Sequence, residues 1–269
     1  MINTLKKQIL ELLFPIGSTQ KILSGYLKGK YIKISENSQW APLFGRWEPS
    51  MQKLFVNTQK PGNIFYDLGA NFGLHGLLCS RYLGSNGHIY NFDPLPSNLI
   101  EIEENYKLNK IFNYTNVPMA ISNKTGTAYF NVAKHDGQGS LIILRDDVGE
   151  ILVETITLDD FIKNGNPLPN YIKMDIEGSE GDALEGFVNN IENAQPIMII
   201  ELHSPEADKK VGSFLKFYNY SAYRFDTFSG LEFEKVLNLE NPFPDKSGIW
   251  GTVLCLPASM SLNNFKFLQ

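Results

Sequence analysis

Four residues in the second half of this chain combine types and spacing that could do chemistry: Asp175, Glu177, Glu201 and His203. The two acids follow the apolar run Tyr171 to Met174, and Glu201 and His203 close the run Ile197 to Leu202. A spacing of two along a strand sends both side chains of a pair to one face. Carboxylates gathered beside an imidazole can take a proton from a reacting hydroxyl, with His203 as the base if it titrates near neutrality. The same acids and His203 could instead offer a divalent ion hard oxygen ligands; no metal is assigned. The plain alternatives are a solvated strand end for Glu201 and His203, and a helix start whose dipole favours acids for Asp175 and Glu177. Lys173 shares strand parity with Asp175 and is placed to pair with it, with or without catalytic duty.

A second group lies earlier, in Asp67-Leu68-Gly69-Ala70-Asn71-Phe72-Gly73, directly after the apolar residues Asn63 to Tyr66. The pattern is a strand, a tight turn and a helix start, where glycines let the backbone approach a ligand and unpaired N–H groups are on offer. Gly69, Asn71 and Gly73 are therefore candidate cofactor contacts. Twenty residues after Gly73, the next apolar strand ends at Asp93, the place from which an acid can accept hydrogen bonds from both ribose hydroxyls. The turn spells D-x-G-x-N-x-G and not G-x-G-x-x-G, so a pyrophosphate on the helix end is not the expected ligand. Asp67 would repel a diphosphate and attract an ammonium or sulfonium group. S-adenosylmethionine carries both cations and no phosphate. It is the expected cofactor, with Asp67 toward its amino group through water or backbone and Asp93 on its ribose. His75, in the first helical turn, is assigned to packing or a local backbone bond.

The elements that must hold these groups follow from periodicity. An amphipathic helix from Met1 to Phe14 is stopped by Pro15 and Gly17; strand-like alternation runs from Gly25 to Ile34, and a helical pattern from Glu48 to Val56. Pro61-Gly62 then breaks the chain. Residues 1–60 read as a cap and residues 61–269 as the main domain. From residue 62 strands alternate with helices: Ile64 to Leu68, a helix to Leu83, His88 to Phe92, a helix from Ser97 to Leu108, Tyr114 to Val117, Tyr171 to Met174, a helix from Ser179 to Ile191, and Ile197 to Leu202; between them a turn at Asn123 to Gly126 leads into a separate segment, Thr127 to Val132. Late strands at Ser221 to Asp226 and Gly251 to Leu256 complete a seven-stranded sheet. Such alternation implies a mainly parallel sheet with helices on both faces, and ligands outside the carboxyl ends of its strands. The small residues Gln138-Gly139-Ser140 are suited to a lid or to an ordinary surface hairpin.

With 269 residues, 43% of them hydrophobic, the chain can bury a sizeable core. A net charge of -5 without a basic run disfavours nucleic acid as a partner. Cys79 and Cys255 form neither a disulfide framework nor a metal-ligand spacing. The N-terminal helix is too short and too charged to span a membrane and has no signal-peptide core, so a cytoplasmic location is expected.

Taken together, the segments Phe65 to Gly73, Tyr90 to Pro94, Val117 to Ser122, Thr155 to Phe161 and Ile172 to Glu180 resemble the FkbM family of S-adenosylmethionine-dependent methyltransferases. The resemblance runs from about residue 40 to 205, and its most specific piece is Ile172 to Glu180. It implies an α/β, Rossmann-like class I methyltransferase fold and methyl transfer to a hydroxyl oxygen of a small molecule or saccharide. It also implies roles by position: Ala120 and Ile121, with Met119 nearby, at the adenine; Asp175 on the cofactor and, with Glu177, at the transferred methyl. Gly45-Arg46-Trp47-Glu48 is family-like too and adds Glu48 to the cofactor set, although Trp47 stands where the family more often has tyrosine. Asp93-Pro94 replaces the usual Glu-Pro, which keeps the carboxylate one methylene shorter. Two rivals stay open: a nicotinamide-dependent oxidoreductase on a similar sheet, and a catalytically silent cofactor-binding module. Whether the chain forms a homo-oligomer is also open.

Overall fold

Seven apolar runs become the strands of one sheet: β1 (Ile64–Leu68), β2 (His88–Phe92), β3 (Tyr114–Val117), β4 (Tyr171–Met174), β5 (Ile197–Leu202), β6 (Tyr220–Phe225) and β7 (Gly251–Pro257). The structure, a computed structural model, describes residues 2–36, 38, 40–133, 139–141, 147–241 and 251–265. The strands stand in the order 3-2-1-4-5-7-6, all parallel except the reversed β7, with a two-residue strand, Glu234–Lys235, on the β6 edge. Strand order reverses between β1 and β4, which opens a crevice beyond their carboxyl ends.

Period-two alternation divides the core between two faces. Phe65, Tyr171, Ile199 and Leu254 belong to one apolar cluster, and Tyr66, Ile172, Met198, Ile200 and Cys255 to the other. The first cluster takes in α3 (Leu74–Leu83) and α4 (Pro96–Leu108), together with Ile22, Ile32, Leu43, Leu54 and Phe55 from the first 60 residues. Those residues also supply α1 (Ile2–Leu13) and α2 (Pro49–Thr58). The second cluster is covered by α5 (Leu158–Lys163), α6 (Glu180–Glu185), α7 (Ile191–Ala194) and α8 (Pro205–Phe217). Because β4 is covered on both faces, all four of its residues are buried.

One row of this sheet is polar. Lys173, Asp67, Asn91 and Asn116 are register partners on β4, β1, β2 and β3. Asn91 donates to Asn116 at 2.9 Å and accepts from the Tyr106 hydroxyl at 3.0 Å. A charged pair is thus set one residue inside the strand ends that border the crevice.

Three elements differ from the sequence expectation. Between Gly25 and Ile34 only Tyr31–Lys33 is strand; it pairs with Thr19–Lys21 across a turn in which Gly25 and Gly29 take positive φ. The helix expected from Ser179 to Ile191 stops at Glu185, because Asn189 and Asn190 turn aside to donate three hydrogen bonds to Asp159. A second sheet is added: Asp147–Ile156 pairs antiparallel with Gly126–Ala133, and its end pairs parallel with Ala120–Ile121. Helix α8 starts at Ser204, whose hydroxyl accepts from the Ala207 N–H, with Pro205 at the first helical position. Among the described residues no helix is long and apolar enough to cross a membrane.

Candidate active site

The crevice is built from four strand ends. Gly69 and Asn71 follow β1, Asp93 and Leu95 follow β2, Met119, Ala120 and Ile121 follow β3, and Asp175, Glu177 and Ser179 follow β4. Phe130 and Gly139 of the second sheet, with Leu141 just after it, close its side, and the Ser140 hydroxyl donates to the Glu177 carbonyl at 2.6 Å. Gly139 and Ser140 of the expected lid therefore border the site, while Gln138 lies outside the described residues.

Gly69 holds the first turn against β4. Its φ is +77°, and a Cβ there would lie 1.9 Å from the Asp175 carbonyl oxygen. Gly69→Ala is expected to cost more than about 1 kcal/mol and to part β1 from β4; thermal unfolding is the measurement, and an unchanged melting temperature would refute the close approach. Asn71 has a left-handed backbone, and its N–H donates to Asp93 Oδ2 at 2.9 Å. Its side-chain Oδ1 is buried without a hydrogen-bond partner among the described residues and borders the crevice. Gly73 differs from its assigned role. It stands behind the wall, with Ile102 and Tyr106 3.0 and 3.1 Å from where a Cβ would be, so close packing of α4 explains the glycine.

Asp93 is 4% exposed and already accepts from the N–H of Asn71, the N–H of Leu95 at 3.0 Å and the Asn98 amide at 3.0 Å. A carboxylate offers about four acceptor sites. One is left, enough for a single ligand hydroxyl and not for the two that the spacing suggested. Burial pushes the Asp93 carboxyl up to about 6, against the opposing hydrogen bonds from Asn98, Leu95 and Asn71.

Beyond Asp175 the crevice meets a dense charge cluster. Lys173, buried at the end of β4, donates to the Gly69 carbonyl at 3.0 Å and to Asp175 at 3.3 Å, and lies 3.7 Å from Asp67. Desolvation works against its charge, but Asp175, Asp67, Glu48 and Glu201 together hold its pKa above the usual lysine value. Asp67 does not reach the crevice. It is fully buried and neither oxygen has a hydrogen-bond partner among the described residues, so desolvation raises its pKa despite Lys173. Its part is to anchor Lys173. Glu48 is likewise displaced from the cofactor wall: it meets His75 Nε2 at 3.0 Å and faces the cluster from the cap side. Trp47 packs edge-on against Phe72 of the glycine turn, with ring centroids 5.0 Å apart.

His203 sits at the centre. Its Nδ1 lies 2.9 Å from Glu180 Oε1, and its Nε2 lies 3.5 Å from Asp175, 3.5 Å from Glu177 and 3.9 Å from Glu201. Burial disfavours the imidazolium, yet the Glu180 hydrogen bond and the charges of Asp175, Glu180 and Glu177 outweigh it and bring the pKa up to about 10. The expected base near neutrality is therefore corrected: as arranged here His203 is a cation among carboxylates. Desolvation and the charges of Asp175 and Glu48 raise Glu201 to about 8. Glu180 is the residue that sequence reasoning passed over. Fully buried, it accepts from the N–H groups of Ile176 and Gly178 as well as facing His203. Its place inside Ile172 to Glu180 was the available signal.

A family model described as the methyltransferase FkbM domain matches residues 67–225. A hexuronic acid methyltransferase, AglP, of Haloferax volcanii is 24% identical over 196 residues, 72% of this chain and 77% of that protein. Among solved structures, the FkbM methyltransferase of Methylobacillus flagellatus is 16% identical, with a TM-score of 0.45 over 76% of this chain and 50% of that one. The precorrin-6y C5,15-methyltransferase of Geobacter metallireducens is 11% identical, with a TM-score of 0.44 over 77% and 88%. This chain thus spans about half the length of the Methylobacillus protein. With the matched domain running from Asp67 through β6, over more than half of its residues, the chain belongs to the FkbM family of methyltransferases.

Proposed function

We propose that this methyltransferase holds S-adenosylmethionine in the crevice between Asp93 and Asp175 and moves its methyl group to a hydroxyl oxygen of a saccharide, a hexuronic acid or a sugar of similar shape. The observation that carries this reading is that Asp175 belongs to both the crevice wall and the carboxylate cluster. With Glu177, it joins the donor and acceptor sites.

The crevice suits the cofactor. Asp93 keeps one acceptor for a ribose hydroxyl, and the apolar Leu95, Met119, Ala120 and Ile121 offer flat walls to an adenine. The Asn71 side-chain oxygen needs a donor. Among the described residues that line the crevice none is basic. A dinucleotide's diphosphate would find no counter-charge there, which argues against the oxidoreductase alternative. The sugar acceptor is supported by the hexuronic acid relative.

S-adenosylmethionine held here by Asp93 and the crevice walls would supply an activated methyl group, lost from its sulfonium to the acceptor oxygen with the carbon–sulfur electron pair left on sulfur. Glu201 in its ionised form would take the hydroxyl proton. Holding the two reactants in line supplies up to ~7–11 kcal/mol.

Calorimetric titration with S-adenosylhomocysteine, followed by radiolabelled methyl transfer to a uronic acid and a neutral hexose, tests the reading. Heat from NAD and none from the homocysteine product would sink it. Asp93→Asn is expected to weaken cofactor binding by about 10–100-fold, the effect of a charged hydrogen bond worth roughly 1.5–3 kcal/mol. Only ionised Asp93 accepts fully, and its raised pKa makes that form the minority below pH 6. Affinity should therefore fall about tenfold between pH 7 and pH 5 in the parent, and stay level in Asp93→Asn.

A further inference from the structure

We propose that Asp175, Glu177 and His203 bind one divalent metal ion of the manganese type at the acceptor end of the crevice. One ligand atom from each lies within 4.8 Å of the others, and His203 Nε2 is 3.5 Å from a carboxylate oxygen of both acids. Two atoms each bound about 2.1 Å from a common ion lie roughly 3–4 Å apart. Nε2 already stands at that separation from both acids, and the ion would bind as Nε2 gives up its proton.

Three further features match a metal and not a bare ion pair. First, the imidazole is oriented from behind. Glu180 holds Nδ1 and is itself fixed by two backbone N–H groups, which turns Nε2 toward the two acids; metal-bound histidines are held in this way. Second, the charge does not balance. Among the described residues six acids, Glu48, Asp67, Asp175, Glu177, Glu180 and Glu201, meet three basic side chains, Lys173, His203 and His75. A divalent ion, displacing the His203 proton, would add one net positive charge to this acid-rich group. Third, the Ser179 hydroxyl, 3% exposed, lines the crevice with Asp175 and Glu177 and has no hydrogen-bond partner among the described residues. A metal-bound water would give it one.

Two carboxylates suit a hard ion such as manganese, and the imidazole favours it over magnesium. Three protein ligands leave positions for water and for the acceptor. A hydroxyl bound there would lose its proton to Glu201 more readily and meet the methyl carbon as an alkoxide-like oxygen. This catalytic consequence rests on the methyl-transfer reading; the binding of the ion does not.

The full chain, freed of metal with EDTA and dialysed, should take up one Mn²⁺ per molecule by calorimetry, with matching loss of the free-ion paramagnetic resonance signal. Asp175→Asn and Glu177→Gln should each weaken uptake at least about tenfold, while Lys210→Ala, on the surface, should not. Glu177→Gln is partly exposed to the crevice and keeps the assay interpretable if Asp175→Asn folds poorly. No saturable uptake, or uptake indifferent to both variants, overturns the site. Specific uptake supports it even if no acceptor is methylated, an outcome that would count against the proposed function alone.

Discussion

Lys173→Met is expected to destabilise the protein by about 3–5 kcal/mol, the range for removing one partner of a buried ion pair. The cost comes from what is left behind. Asp67 is fully buried, its two oxygens have no hydrogen-bond partner among the described residues, and Lys173 at 3.7 Å is the cation beside it. Without that cation, Asp67 must hold a proton to stay folded. The unfolded chain releases that proton at the ordinary carboxylate pKa, so the native state binds more protons over the interval above it. Stability of the variant should therefore fall as pH rises from about 4. Adding Asp67→Asn removes the buried charge and should recover most of the loss, because a buried pair contributes far less than breaking it costs. Denaturant unfolding of the parent, both single variants and the double variant measures the coupling. If Lys173→Met alone melts like the parent, Asp67 does not depend on Lys173 for its charge compensation.

That ion pair also shows how far the sequence could be read. Lys173 and Asp175 share parity within one strand, so their pairing follows from local spacing. The contact with Asp67 depends on β4 lying beside β1, a pairing between residues more than a hundred positions apart that periodicity does not reveal. The same distinction separates the site residues. Asn71, Asp93, Ala120, Ile121, Asp175 and Glu177 all stand at strand ends on one crevice, because an alternating strand–helix pattern fixes where strand ends gather. Glu48 and Gly73 were assigned by motif position, and tertiary packing put each to other use: Glu48 against His75, Gly73 against α4. His203 stands at the rim that strand parity implies, but its ionisation is not legible locally, since four carboxylates converge on it from the ends of β4 and β5 and the start of α6. The strand Asp147–Ile156 pairs away from the main sheet and leaves Ile151 and Leu152 exposed beside Glu150 and Glu154, so it lacks the polar-out alternation of a half-buried strand. Its signal is weak for that reason.

Asp175→Ala should lower kcat by about 10²–10⁴-fold, the range for a group that acts on the reacting proton or its carrier, while binding of S-adenosylhomocysteine changes by less than about tenfold. The asymmetry follows from position. On the crevice side Asp175 is one wall residue among several, and Gly69, Asp93 and the apolar segment Met119 to Ile121 remain when its carboxylate is gone. On the cluster side it touches both cations, Lys173 at 3.3 Å and His203 at 3.5 Å. Despite the desolvation that opposes it, those two charges keep its carboxyl below the usual aspartate pKa, so it is an anion at every working pH. Its loss leaves His203 turned toward Glu177 and Glu201 with one fewer restraint, and the acceptor oxygen loses its alignment with the methyl carbon. The fold should tolerate the change better than Lys173→Met, because Asp175 is about one-third exposed to the crevice and Lys173 keeps Asp67. A variant that binds the cofactor and melts like the parent yet turns over within tenfold of it would place methyl transfer away from this cluster. A variant that loses binding and turnover together would make Asp175 a cofactor ligand first.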